Sequence, residues 1–158
     1  DTGLPAKSLI LEITEDAIVN DMERVSKVLQ EIRSMGILIA LDDFGTGYSS
    51  LGYLWQFPFS KLKIDRSFIH ALDTTPKAPS ILKSIIDLSR NLGIEVTAEG
   101  IETTEQMRTL RNLNCDYLQG FLCGVPTAKS NLAAIILKNF SETLNQENAK
   151  LPKIRVIR

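Results

Sequence analysis

The sequence predicts an α/β fold: a (β/α) TIM-like barrel, incomplete, with about five of a barrel's strands present. Three observations carry this reading. Short apolar runs alternate with segments of helical apolar spacing along most of the chain, and such alternation builds parallel strands joined by crossover helices. No glycine fingerprint for a dinucleotide phosphate is found, so an open doubly wound sheet gains no support. The chain has 158 residues, whereas a full barrel places eight strands in about 250.

The elements follow in order. Leu9 to Ile13 reads as a strand, and Asp16 to Met35 as a helix carrying Ile18, Met22, Val25, Val28, Leu29 and Ile32 at helical spacing, closed by Gly36. Ile37 to Leu41 is a continuous apolar run, as a buried strand should be. Asp43 to Ser50 is a glycine-rich loop, Leu51 to Trp55 a short helix closed by Pro58, and Leu62 to Ile64 a strand. Pro79 to Leu92 is a helix with Ile81, Ile85, Ile86 and Leu88 on one side, ended by Gly93. Ile94 to Ala98 is a strand, Thr104 to Leu113 a helix, and Asp116 to Leu118 a short strand. Pro126 and Ser130 introduce a last helix to about Phe140. One unit over residues 1–140 is expected, followed by a polar, then basic, tail over residues 141–158.

Hydrophobic residues make up 44% and charged residues 23%, a globular profile long enough for a sizeable core. Lys and Arg total 18 against 19 Asp and Glu, a net charge of −1. That balance argues against general nucleic-acid binding, which needs a basic surface. It leaves room for a small phosphate ligand held through a metal. Two cysteines and one histidine are too few for a zinc site. Any metal is therefore expected on carboxylates, which suit Mg²⁺, Mn²⁺ or Ca²⁺. Cys115 and Cys123 are expected as reduced, mostly buried thiols in a cytoplasmic protein, and His70 as a surface or helix residue. No apolar run is long enough to span a membrane, and no secretory signal opens the chain. Asp1 is not a natural start, so a membrane anchor in a longer parent is compatible with the sequence.

Each predicted strand finishes on a residue able to do chemistry: Glu12, then Asp42 and Asp43, then Lys63 and Asp65, then Glu99, then Gln119. In a β/α barrel the C-terminal strand ends form the active-site face. One such acid is uninformative, because it can simply cap the next helix. Four strands sending five acids and a lysine to one rim exceed what capping requires. Lys63 and Asp65 are two apart and share one strand face. A cluster of carboxylates repels itself, and divalent cations relieve the repulsion. Two metals about 3.5–4 Å apart suit in-line attack on a phosphodiester. Bland readings remain beside this one. Asp42-Asp43 is often a cap or turn, and Lys63 a surface lysine or an amine nucleophile. Glu99 and Glu102 would serve as a capping pair before Thr103 and Thr104, and Gln119 as a backbone partner. A lysine among acids keeps a high pKa, which disfavours the nucleophile.

Five motifs now stand in order: Glu12-Ile-Thr-Glu15, the block Asp42-Asp43-Phe44-Gly45-Thr46-Gly47-Tyr48-Ser49-Ser50-Leu51, Lys63-Ile64-Asp65, Ala98-Glu99-Gly100-Ile101-Glu102-Thr103, and Gln119-Gly120-Phe121. Together, from about Leu4 to Leu137, they resemble the EAL domain, a cyclic-di-GMP phosphodiesterase family. The resemblance implies that Glu12 ligates metal, that Asp42 bridges two metals, and that Asp43 and Asp65 ligate the second. It implies that Lys63 orients the attacking water and phosphate and that Glu99 is the general base or organises metal water. Glu102 and Gln119 resemble supporting residues, and Glu15 the acid that anchors the loop containing Gly45, Thr46 and Gly47. It further implies hydrolysis of cyclic-di-GMP to linear pGpG with Mg²⁺ or Mn²⁺, inhibition by Ca²⁺, and a homodimer contact at the loop of Asp43 to Ser50. The alternative is an incompetent domain acting as a cyclic-di-GMP receptor or an interaction module. Two departures stand out. The Glu-Ala-Leu signature and an asparagine ligand would precede residue 1, so this stretch alone is expected to lack part of the site and to leave sheet edges open. Gly124-Val125-Pro126 replaces the usual Gly-Arg-Pro, and Cys123 stands where an aromatic is common.

Overall fold

A computed structural model describes residues 3–19, 21–47 and 52–131. Five strands form one parallel sheet: β1 (Ile10–Thr14), β2 (Leu38–Phe44), β3 (Lys61–Ile64), β4 (Glu95–Ala98) and β5 (Tyr117–Leu118). Their order in space is their order in sequence. A doubly wound sheet reverses direction at a switch point. This one does not, and it forms an arc of a barrel.

The helices are α1 (Glu15–Val19), α2 (Met22–Ser34), α3 (Gly52–Gln56), α4 (Arg66–His70), α5 (Ala78–Asn91) and α6 (Thr104–Asn112). The single helix expected from Asp16 to Met35 is two. Asp21 breaks it by capping α2, its side chain accepting a hydrogen bond from the Arg24 N–H at 3.1 Å. The apolar spacing runs through both helices, so periodicity does not register the break. Helix α5 starts with Pro79 inside its first turn, where a missing N–H costs nothing. Helix α6 opens on a capping box between Thr103 and Gln106. Helix α4 carries no sequence pattern long enough to have announced it. A helical turn begins at Lys129; the rest of the expected last helix and the tail lie outside the described residues.

Register separates the two faces of the sheet. Glu12 pairs with Ala40, Ala40 with Lys61, Lys63 with Thr97, and Thr97 with Tyr117. These residues share the face that would line a barrel. The opposite face carries Ile39, Leu41, Leu62, Ile64, Val96 and Ala98, all buried. Against it pack Leu29 of α2, Leu82 and Ile86 of α5 and Leu110 of α6, in one continuous core. Burying each such side chain contributes about 1.5–3 kcal/mol. The core thus lies mainly between sheet and helices, and the other face carries the polar residues alongside Ile10, Leu38 and Ala40. No described helix is long and apolar enough to cross a membrane. Of the two thiols, Cys115 is buried as expected, but Cys123 is exposed, because it lies in the turn after β5.

Candidate active site

Lys63 is at the centre of the polar face. Its side chain is 9% exposed, and its Nζ lies 2.9 Å from Glu12 Oε2, 3.0 Å from Asp42 Oδ1 and 2.9 Å from Glu99 Oε1. β1, β2 and β4 each supply one acid to the lysine of β3. Burial alone would lower the Lys63 pKa. The hydrogen bonds that Lys63 donates to Glu12, Glu99 and Asp42 outweigh it and hold the ammonium well above the ordinary lysine range. Lys63 is therefore a fixed cation, and the amine-nucleophile reading falls. Burial pushes the Glu99 carboxyl up; the Lys63 contact opposes this, and the neighbouring Asp42 and Glu12 charges add to it.

Asp42 and Asp43 pose a geometric problem. Successive residues of a strand point to opposite faces. The register of β2 against β3 shifts between Leu41 and Phe44, and Asp43 takes the left-handed value φ = 53°. This bulge brings both acids to one side: carboxylate oxygens of Asp42, Asp43 and Glu99 all lie within 4.8 Å of one another. The Asp43 amide also donates to Asp42 Oδ1 at 3.0 Å. β2 consequently runs on through Phe44, three residues past its expected end.

The loop begins at Gly45. Glu15, buried at the start of α1, accepts from the Gly45 N–H at 3.4 Å, and its other oxygen lies against Gly47. Thr46 donates to the Asp43 carbonyl through both its N–H, at 3.2 Å, and its hydroxyl, at 2.9 Å. Tyr48 to Leu51 lie outside the described residues. Asp65 is placed differently from the other acids. Its carboxylate caps α4, accepting from the Ser67 N–H at 2.9 Å. Partial burial opposes its ionisation, but the Ser67 and Arg66 donors win and hold its pKa below the ordinary carboxylate range. Glu102 is exposed and faces His70 across 3.8 Å, and its N–H donates to Gln106. Gln119 is exposed, and its backbone bridges Ala98 and Ile101. The lysine, Glu12, Asp42, Asp43 and Glu99 are thus brought together, whereas Asp65, Glu102 and Gln119 stand around them in other hydrogen bonds.

One functional neighbour escaped the sequence reading. Thr97 on β4 is level with Lys63, buried, with a hydroxyl that finds no partner among the described residues. A threonine in an apolar run offers no signal of this. The charge balance of the cluster is plain. Three carboxylates touch one ammonium, and Asp43 adds a fourth acid, so negative charge is in excess. All the donors are oxygens, the set that hard divalent cations prefer.

An arc of parallel strands with acids gathered at the carboxyl ends defines a barrel-type domain with a cation-ready rim. The sequence matches the EAL domain family over residues 1–126, and the chain belongs to that family. It is 43% identical over 134 residues to the bifunctional diguanylate cyclase/cyclic di-GMP phosphodiesterase MucR of Pseudomonas aeruginosa, covering 85% of this chain and 20% of MucR. The crystal structure of the EAL domain of Mycobacterium smegmatis DcpA superposes with a TM-score of 0.79 at 40% identity, over 86% of this chain and 61% of that one. The manganese and cyclic-di-GMP complex of Klebsiella pneumoniae BlrP1 gives a TM-score of 0.72 at 34% identity, over 76% and 31%. The chain thus spans a fifth of MucR and about three-fifths of the DcpA domain.

Proposed function

We propose that this chain provides the Lys63-centred half of a metal-dependent phosphodiesterase site that hydrolyses cyclic-di-GMP to linear pGpG. The observation that carries the reading is the excess of acid around Lys63. One ammonium leaves three of the four charges on Glu12, Asp42, Asp43 and Glu99 uncompensated, and bound divalent cations would offset them. Glu12, Asp42 and Asp43 would hold the ion, with Glu99 beside them, and Asp65 would join them by giving up its cap on α4. Mg²⁺ or Mn²⁺ would lower the pKa of water and stabilise charge on phosphate oxygens. Lys63, cationic at any working pH, would orient the phosphate and the attacking water. Glu99, its carboxyl raised by burial, would accept a proton. Relatives with this activity in their names, and a neighbour solved with manganese and cyclic-di-GMP, support the reading.

The experiment is turnover of cyclic-di-GMP by the purified chain with Mg²⁺ or Mn²⁺, followed as pGpG by chromatography. Product that disappears in Asp42→Asn is expected. Binding of the nucleotide with no product would favour the receptor reading, and neither would defeat both for this chain.

A further inference from the structure

The loop that follows Asp43 and Phe44 is gripped from two sides, and only one grip belongs to an acid. On one side is Glu15, through the Gly45 amide. On the other is Phe68 of α4. A Cβ built on Gly45 would lie 2.3 Å from Cε2 and 2.5 Å from Cζ of the Phe68 ring. Gly45 also has φ = 96°, a left-handed value. Its backbone therefore rests flush on the ring, where no L-residue fits.

Phe68 is tied to the other candidate ligand by its own backbone. Its N–H donates to the Asp65 carbonyl at 3.1 Å, inside the helix that the Asp65 carboxylate caps. The ring packs against the core from a half-buried position. One side chain thus links the end of β3, where Asp65 stands, to the loop that follows the left-handed turn of Asp43 near the end of β2. Asp43 holds that turn through its own amide on Asp42 Oδ1, two hydrogen bonds from Thr46 to its carbonyl, and the seat of the loop itself.

We propose that Phe68 is a positioning residue of the acid site: its ring seats Gly45 and so sets the Asp43 carboxylate against Asp42 and Glu99. The proposal rests on the metal-site reading for its consequence, but not for its geometry. Phe68→Ala should leave the chain folded by circular dichroism while weakening Mn²⁺ binding about tenfold, the scale on which supporting residues act on metal sites. Mn²⁺ alone is the probe, followed by the loss of the free-ion paramagnetic resonance signal. Exchange of the Thr46 amide, which donates to Asp43, should accelerate at least about tenfold against the amides of β4. Phe68→Leu, which keeps apolar bulk, should fall between the two and covers the case in which the alanine variant does not fold. Gly45→Ala should weaken Mn²⁺ binding in the native background and lose part of that effect once Phe68 is also alanine. Unchanged Thr46 protection in both Phe68 variants would overturn the proposal. A native chain that binds no Mn²⁺ would sink the metal reading instead, and the Thr46 exchange would still decide the role of Phe68.

Discussion

Lys61 and Lys63 stand two residues apart on β3, on the same face of the sheet, and both side chains are nearly buried, at 6% and 9% exposure. Their company differs. Among the described residues Lys61 meets one acid, Glu95, at 2.8 Å, lies over the Tyr117 ring at 3.8 Å, and Tyr117 in turn donates to Glu95 at 2.9 Å. The partner acid is 51% exposed, so water shares its charge. Lys63 meets three acids, each less exposed than Glu95. The lower layer is a balanced pair that joins β3, β4 and β5. The upper layer is over-supplied with acid. Burial of a lysine therefore does not mark a site by itself. What separates the two layers is whether the charges balance.

The largest effect should come from Lys63→Met. Removing one member of a buried ionic cluster leaves uncompensated charge, and costs about 3–5 kcal/mol. Here the remaining group is several carboxylates rather than one. Mn²⁺ should therefore raise the melting temperature of the variant more than that of the native chain, since the ion takes over the lost countercharge. Turnover, where the native chain shows it, should fall by at least about a hundredfold. Thermal melts with and without Mn²⁺ make the check. An equal rise in both proteins would mean that the upper layer is balanced too, and the contrast with Lys61 would dissolve.

Next comes the rim itself. A Cβ at Gly120 would lie 2.2 Å from the backbone N and O of Ile101. Backbone cannot rotate aside as a side chain can, so Gly120→Ala should destabilise by about 1–3 kcal/mol, the range of overpacking. Denaturant unfolding measures it. A neutral result would show that the chain after β5 yields, and that the strand ends bearing Glu99 and Gln119 are not held to one another.

Much of this was legible in the sequence, and the exceptions share a cause. The four apolar strands and helices α5 and α6 follow from period and punctuation, which are local. The gathering of Glu12, Asp42, Lys63 and Glu99 was legible because strand ends in a β/α arrangement converge whatever the details. Alternation with Lys63 predicts Asp65 as a rim acid, but alternation ends where the strand does, and the structure turns its carboxylate to cap α4. Asp42 and Asp43 share a side only through a bulge and a left-handed residue, neither of which has a sequence period. The break at Asp21 was hidden because the apolar stripe continues across it. Phe68 and Thr97 are ordinary residues in their own segments, and acquire their meaning from neighbours more than twenty residues away.

Lys61→Met tests the lower layer directly. Because Glu95 stays half in water, losing its partner should cost only about 1 kcal/mol, the worth of a largely solvated pair together with a cation–π contact. Mn²⁺ binding should not change. Denaturant melts and the resonance titration read the two quantities on one sample. A tenfold loss of Mn²⁺ affinity would show that the two lysine layers act as one along β3.

The smallest effect lies at the foot of β5. The Cys115 thiol is buried, 3.3 Å from the Tyr117 carbonyl and 3.7 Å from that of Val96. Burial pushes it up to about 12 from an ordinary 9.0. An acid held above its unfolded pKa keeps its proton in the folded chain while the unfolded chain loses it. Stability is therefore unaffected below pH 9 and falls as pH rises from 9 toward 12, at most about 1.4 kcal/mol per unit. At pH 9.5 the loss should be about 0.8 kcal/mol. Cys115→Ala lacks this dependence, so the stability gap between native and variant should narrow by that amount between pH 7.5 and 9.5. A constant gap would mean that water reaches the thiol, and with it the layer of Lys61, Glu95 and Tyr117 that the thiol adjoins.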